Sequence, residues 1–224
     1  MRALRPALRR RLRGVTLVEL MIGMTLGLIV TVGTLGLLSG QLRSNRELLT
    51  SARLNSELRA TMDTMVRDVR RAGYWGGAER GTWFQRNPTP VANPFDEVTV
   101  GTGTITYRYD ANADGVLQNG ETFRLELDAD AGAVELHTQG SDDPVPLNDP
   151  EVTAVTGLAF ELIERETSVT CLHGGPVAPT PPVLTVRELR ITLDARLRED
   201  TAVTRSLTER VRLRNDLVAG SCPS

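Results

Sequence analysis

The sequence predicts an α+β protein in which one long N-terminal α-helix precedes a head domain with an antiparallel β-sheet. An almost uninterrupted apolar run covers residues 15–41, and apolar residues then recur at helical spacing up to residue 72. Short β-like runs follow, at residues 97–100, 104–109, 122–127, 133–137, 155–163, 188–197 and 204–213. One helix followed by many strands is the order typical of α+β folds, and 224 residues suffice for a substantial core.

Charge is distributed unevenly along the chain. All 26 basic residues are arginines, and six of them lie within the first fourteen residues: Arg2, Arg5, Arg9, Arg10, Arg11 and Arg13. The remaining residues carry 20 basic and 28 acidic side chains, a formal charge of −8. This acidic body argues against nucleic acid as the main partner, because binding to phosphates needs a net basic surface.

The first apolar run has the length of a membrane-spanning helix. Residues 15–38 number 24, whereas roughly 20 residues suffice to cross the hydrocarbon layer. The run exceeds the apolar region of a cleaved secretory signal, which is about 7–15 residues long. The arginines before it predict a cytoplasmic N-terminus with the rest of the chain outside. By hydropathy alone, a plain signal anchor fits this segment equally well.

Glu19 distinguishes this segment from an ordinary anchor. It is the only ionisable side chain between Val15 and Gln41. A charged side chain in a bilayer costs about 2.5–3.5 kcal/mol on insertion scales, so it is normally kept for a partner. The nearest candidate cation is the free amine that cleavage immediately before Val15 would create.

The sequence Gly14-Val15-Thr16-Leu17-Val18-Glu19 resembles the N-terminal signal of type IV prepilins, in which a basic leader ends in Gly before an apolar helix with an early Glu. The resemblance implies cleavage between Gly14 and Val15 by a prepilin peptidase and N-methylation of Val15. It also implies that Glu19 pairs with the terminal amine of a neighbouring pilin subunit. Val15 departs from the family pattern, which usually has Phe there. The implied location is the inner membrane, with a periplasmic head, and then a cell-surface pilus.

An amphipathic pattern continues the helix through residues 41–73. Its apolar stripe is predicted to pack on the sheet and consists of Leu48, Ala52, Leu58, Met62, Met65, Val66, Val69 and Ala72. Gly73 is expected to end the helix. The predicted segments are a leader (1–14), a transmembrane assembly helix (15–40), this amphipathic helix (41–73) and a β-rich head (74–224).

Residues 65–76, Met-Val-Arg-Asp-Val-Arg-Arg-Ala-Gly-Tyr-Trp-Gly, resemble the helix end of the PilW family of minor pilins. This resemblance implies a subunit that helps to initiate assembly of a type IV pilus together with other pilins. Two alternatives stay open: a minor pseudopilin of a type II secretion system, which shares the anchor, and a membrane-tethered calcium-dependent binding module or adhesin.

Residues 110–121 match the twelve-residue calcium loop D-x-[DN]-x-[DN]-G-x5-E at every defined position. Gly115 allows the sharp turn, and the predicted Ca²⁺ ligands are Asp110, Asn112, Asp114, the Val116 carbonyl, Gln118 through water, and Glu121. Strands flank the loop instead of EF-hand helices, so the alternative is a solvated turn rich in Asp and Asn.

Cys171 and Cys222 are predicted to form a disulfide, because paired cysteines in an exported domain favour one. The resemblance to pilins with a C-terminal disulfide loop supports this pairing. With two histidines and no nucleophile elbow, P-loop or zinc-protease motif, the sequence indicates a protein that is not an enzyme.

Overall fold

The computed structural model describes residues 14–81, 91–170 and 182–220. The chain divides into two compact units, with the boundary between Thr50 and Ser51. A single helix, α1, runs over Leu17–Val69, and a short 3₁₀ helix covers Ala78–Arg80. The first unit contains the N-terminal part of α1, and the second contains the rest of α1 together with the strands. Fold class α+β is therefore confirmed.

In the described part of the second unit, nine strands form two antiparallel sheets. The first sheet has the order β1-β2-β3-β4-β5, with β1 Val98–Gly101, β2 Thr104–Arg108, β3 Thr122–Asp128, β4 Ala133–Thr138 and β5 Val145–Pro146. The second sheet has the order β6-β7-β8, with β9 also paired to β7. Its strands are β6 Thr153–Ser168, β7 Val183–Leu197, β8 Thr204–Arg212 and β9 Leu217–Ala219.

The core of the second unit lies between one face of α1 and both sheets. The helix contributes a stripe spaced by three and four residues: Leu54, Leu58, Met62, Met65 and Val69. The sheets contribute alternate residues of their strands, among them Ile105, Tyr107, Leu125, Leu189, Ile191 and Leu193. This alternation follows from the period of two along a strand, which places every second side chain on the core face.

The buried stripe begins later along the helix than the sequence predicts. Leu48 is 65% exposed and Ala52 is also exposed, whereas Leu54 is fully buried. The predicted stripe was therefore wrong at its start, because helical spacing alone does not show where the packed part of a long helix begins.

The helix also ends slightly earlier than expected. Regular α-helix stops at Val69, and a turn leads to Gly73, whose φ is +78°. At that position the Gly73 N–H donates to the Arg108 carbonyl oxygen at 2.8 Å, so the chain leaves the helix and joins the end of β2. Glycine adopts this left-handed conformation at little steric cost.

Candidate functional site

The start of α1 holds the residues predicted to direct processing and assembly. Thr16 caps the helix, because the Glu19 N–H donates to the Thr16 hydroxyl oxygen at 3.3 Å and the Leu20 N–H donates to its carbonyl oxygen at 3.1 Å. Val15 and Glu19 are exposed. Among the described residues, the Glu19 carboxylate makes no hydrogen bond or salt bridge. Its charge is therefore available to a group from outside the described chain.

The N-terminal part of α1 exposes almost all of its apolar side chains. Leu17, Ile29 and Leu37 are 75, 68 and 73% exposed, and the helix contains a stretch long and apolar enough to cross a membrane. The few hydroxyl groups in this stretch bond to the helix itself: Thr31 donates to the Gly27 carbonyl at 2.7 Å and Ser39 to the Leu35 carbonyl at 2.9 Å. Such internal bonds satisfy polar groups that lipid or packed helices would leave without water.

Four glycines in this stretch, Gly23, Gly27, Gly36 and Gly40, have open space where a side chain would lie. Apart from the backbone of the helix itself, no described atom lies within 4 Å of the position that a Cβ would occupy on any of them. A glycine in a helix interior costs about 0.5–1 kcal/mol relative to alanine. Packing within the described part of the chain therefore gives no reason for these residues.

The predicted calcium loop joins β2 to β3 and is built around two buried carboxylates. Asp110 is 2% exposed and Glu121 is 4% exposed. One oxygen of Asp110, Oδ2, accepts hydrogen bonds from the Gly76 and Gly115 N–H groups at 2.9 and 2.8 Å. The other oxygen, Oδ1, is buried and has no hydrogen-bond partner among the described residues. This oxygen is the clearest unsatisfied acceptor of the loop.

Glu121 and Asp114 hold the loop in its present shape. The Glu121 oxygens accept from the Ala111 N–H at 3.0 Å and the Gln118 N–H at 2.9 Å. The exposed carboxylate of Asp114 accepts from the Val116 N–H at 2.8 Å and from the side-chain amides of Asn112 and Gln118. In the described residues, no group of three or more acidic, His or Cys side chains is arranged to hold a metal ion. The structure thus brings the predicted ligands into one loop without converging them on a point.

The segment Gly73–Gly76 positions this loop. The Asp110 N–H donates to the Tyr74 carbonyl at 2.9 Å, and the buried Trp75 donates its indole N–H to the Gly115 carbonyl at 3.0 Å. Together with the Gly76 N–H bond to Asp110, these contacts fix the loop to the chain that follows α1. The sequence indicated Tyr74 and Trp75 only by family resemblance, and their role as the support of residues 110–121 was missed.

Replacing Gly76 with alanine is expected to destabilise the protein by about 2–3 kcal/mol. A Cβ at this position would lie 2.7 Å from the Ala113 carbonyl oxygen and 2.9 Å from its carbon, both of them backbone atoms that cannot rotate away. The measurement is thermal unfolding of the full-length protein in detergent, with an expected fall in Tm of roughly 4–12 °C.

Gly101→Ala is the matched control, because the atom nearest to its Cβ is a methyl group of Thr104 that can move. Equal Tm values for the two variants would contradict a tight fit between Gly76 and the loop.

Asp68 connects the end of α1 to the first sheet. Its carboxylate accepts hydrogen bonds from the hydroxyl groups of Tyr107 and Tyr109 and forms a salt bridge with Arg71 at 3.6 Å. The Arg71 guanidinium in turn lies 3.9 Å from the centre of the Tyr109 ring. Burial, followed by the charge of Asp68, raises the pKa of both tyrosines above the ordinary value. The tyrosines are therefore held neutral as donors to Asp68.

Arg187, on β7, connects two further segments of the chain near Gly73. It is 3% exposed and donates to the carbonyl oxygens of Asp96 at 2.6 Å and Asn215 at 3.2 Å. Burial lowers the pKa of Arg187, while the charges of Asp96, Glu164 and Asp216 oppose this shift. The buried guanidinium thus provides hydrogen-bond donors to backbone carbonyls of neighbouring segments. Nothing in the sequence pattern of β7 had indicated this role of Arg187.

Cys171 and Cys222 lie outside the described residues. Their disulfide therefore stays a prediction.

Comparison with known protein families agrees with these features of the helix and head. The model of the prokaryotic N-terminal methylation motif matches residues 9–35, which include Gly14, Val15 and Glu19. The chain therefore belongs to the class of type IV pilin-like substrates of prepilin peptidase, and that peptidase is a partner. The model of prepilin peptidase-dependent protein B matches residues 47–213, about three quarters of the chain. The protein is a member of the prepilin peptidase-dependent protein B family.

No curated protein and no solved structure gave a significant match. The families that do match are structural substrates and not enzymes. The apolar start of α1 and the methylation motif are consistent with membrane anchoring.

Proposed function

We propose that the protein is a minor pilin of the PilW type, a structural subunit that helps to start assembly of a type IV pilus. The observation that carries this proposal is the apolar, exposed stretch of α1 with a single carboxylate, Glu19, five residues into the sequence that follows Gly14. Large exposed apolar surfaces mark contacts with lipid or with other proteins. The same helix lies in the inner membrane before assembly and among neighbouring pilin helices afterwards.

Glu19 makes the movement of the helix from the membrane into the filament specific for a neighbouring pilin subunit. Cleavage before Val15 leaves an amine, which N-methylation does not discharge, and Glu19 of one subunit pairs with that amine on the next. In surroundings of low dielectric constant, a paired charge is strongly favoured over an unpaired one. The open glycines Gly23, Gly27, Gly36 and Gly40 support this role, because small residues four apart let packed helices approach closely.

The arginines before residue 14, together with the positive-inside rule, support a periplasmic location of the head domain. A minor pseudopilin of a type II secretion system has the same anchor, so the two roles differ in the filament that is built. The processing site is common to both roles. A strain with a defective subunit distinguishes them, because it loses pili in the first case and protein secretion in the second.

The Gly14→Val variant is expected to keep residues 1–14 attached, because a β-branched side chain replaces the glycine at the cleaved bond. Mass spectrometry of the purified wild-type protein should show a chain that begins with methylated Val15, and the variant should begin at or near Met1. In the strain that carries the variant, pili should be lost while protein secretion continues.

Gly23→Ala, a second glycine substitution in the same helix, serves as the control and should be processed normally. A wild-type chain that is cleaved at a bond other than Gly14–Val15 would contradict the pilin proposal. Retained pili with lost secretion would assign the protein to the pseudopilus instead.

A further inference from the structure

The loop between β2 and β3 contains three carboxylates within twelve residues, Asp110, Asp114 and Glu121. None of the described salt bridges includes them. Arg80 lies beside Gly115 and forms a salt bridge with Glu79 at 3.8 Å. Burying a charged carboxylate is costly unless it is paired with a cation or fully hydrogen-bonded. Two of these three carboxylates are almost completely buried.

Asp110 shows most directly what the loop lacks. Its Oδ2 accepts from two backbone N–H groups, whereas its buried Oδ1 has no donor among the described residues. Leaving a buried oxygen without a hydrogen-bond donor is destabilising. A bound cation would satisfy it without disturbing the two hydrogen bonds to Oδ2, which hold the loop against Gly76.

From the buried, unpartnered Asp110 Oδ1 in a loop that matches the calcium motif, we propose that residues 110–121 bind Ca²⁺ and that the ion draws the ligands together. Its ligands are Asp110 Oδ1, the side-chain oxygens of Asn112 and Asp114, the Val116 carbonyl and Glu121, with Gln118 acting through water. Each carboxylate oxygen has two lone pairs, so the Glu121 oxygens can accept their backbone N–H groups and still coordinate a cation. When the ion binds, the exposed Asp114 carboxylate gives up its hydrogen bonds from the Asn112 and Gln118 side-chain amides and coordinates the ion instead.

Calcium fits this donor set better than other cations. All the ligands are oxygens, which excludes sites that rely on Cys or His. Ca²⁺ accepts six to eight oxygens in flexible geometry, whereas Mg²⁺ requires a near-ideal octahedron and usually keeps several waters. The loop offers carboxylate, amide and carbonyl oxygens and is fixed at one end by Trp75 and Gly76. It therefore suits the flexible, oxygen-rich coordination of Ca²⁺ better than the octahedron of Mg²⁺.

The experiment is a calcium titration of the full-length protein in detergent after dialysis against a chelator. We expect half-saturation at about 10⁻⁴–10⁻³ M, as in extracellular modules. At 10 mM CaCl₂ the Tm should rise by roughly 3–10 °C above its value in chelator. Asp114→Asn and Glu121→Gln should weaken binding at least tenfold, and Asp114→Asn should change the Tm in chelator only little, because the asparagine oxygen can still accept from the Val116 N–H.

Asp130→Asn is the matched control, since Asp130 is an exposed acidic residue in the turn between β3 and β4 and lies outside the loop. It should bind calcium as the wild type does. The inference is overturned if CaCl₂ changes neither the Tm nor the titration signal, if MgCl₂ has the same effect, or if Asp114→Asn keeps the full response. These outcomes do not depend on the pilus role, because binding is measured on the isolated protein.

Discussion

Strains that carry Glu19→Ala or Glu19→Gln in place of the wild-type protein are expected to make almost no pili. Either substitution leaves the terminal amine of a neighbouring subunit in the filament core without its partner. An unpaired buried charge costs about 3–5 kcal/mol, which corresponds to a more than hundredfold loss of subunit incorporation. Glu19→Gln is the sharper variant, because it keeps the size and polarity of the side chain and removes only the charge.

The measurement is a count of filaments per cell by electron microscopy, together with detection of the processed subunit in membranes. The variants should accumulate in the membrane, because the Glu19 side chain makes no contact within the described chain that folding would require. Glu47→Gln provides a matched control in the same helix, since Glu47 is exposed and pairs only with Arg43 at 3.3 Å. Normal piliation with Glu19→Gln would show that the carboxylate charge has no part in assembly.

Much of the architecture followed from local sequence patterns. The apolar run and the helical spacing predicted α1, and β-like runs predicted seven of the nine described strands, five of them to within one residue at each end. The two missed strands, Val145–Pro146 and Leu217–Ala219, are two and three residues long, so they contain too few residues for a period of two to be visible. They form because longer neighbours, β4 and β7, offer free backbone groups for pairing.

Long-range pairing also explains why β6 and β7 exceeded their predicted lengths. The outer part of β6, including Glu164 and Glu166, is exposed and shows no apolar alternation. It remains a strand because every residue from Ile163 to Ser168 pairs with β7. Side-chain patterns report burial of one face, and a ribbon with both faces exposed therefore leaves no such pattern.

The candidate sites show the same difference between local sequence patterns and long-range contacts. The motif at Gly14–Glu19 and the loop at Asp110–Glu121 are contiguous in sequence, so spacing alone could identify them. The support of the loop by Trp75 and Gly76, and the contact of Asp68 with two tyrosines about forty residues away, depend on the tertiary fold. In the sequence, the Asp68 region was indicated only by family resemblance, whereas the structure shows that Asp68 connects the end of α1 to β2 through Tyr107.

The bonds that Asp68 forms with the first sheet are also expected to have a large effect on stability. Asp68→Ala is expected to destabilise the protein by about 3 kcal/mol, because it leaves the fully buried Tyr107 hydroxyl without an acceptor and Arg71 without its salt bridge. The corresponding fall in Tm of the full-length protein is roughly 6–12 °C. Asp63→Ala, an exposed acidic residue on the same helix, should change the Tm little.

A double-mutant cycle isolates the bond between the two residues. Tyr107→Phe removes the hydroxyl group, so adding it to Asp68→Ala should cost less than the sum of the two single changes, by about 1–2 kcal/mol. Additive effects would show that Asp68 acts through Arg71 or Tyr109 and not through Tyr107.

The same cluster predicts how stability depends on alkaline pH. Since the folded state raises the pKa of Tyr107 and Tyr109, the folded protein retains protons that the unfolded chain loses above about pH 10. Their contribution to stability is therefore complete below that pH and is lost as the pH rises further. Tm values measured between pH 8 and 11 should fall less steeply for Tyr107→Phe than for the wild type. An unchanged slope would mean that burial and the charge of Asp68 do not raise the pKa of the Tyr107 hydroxyl in the folded protein.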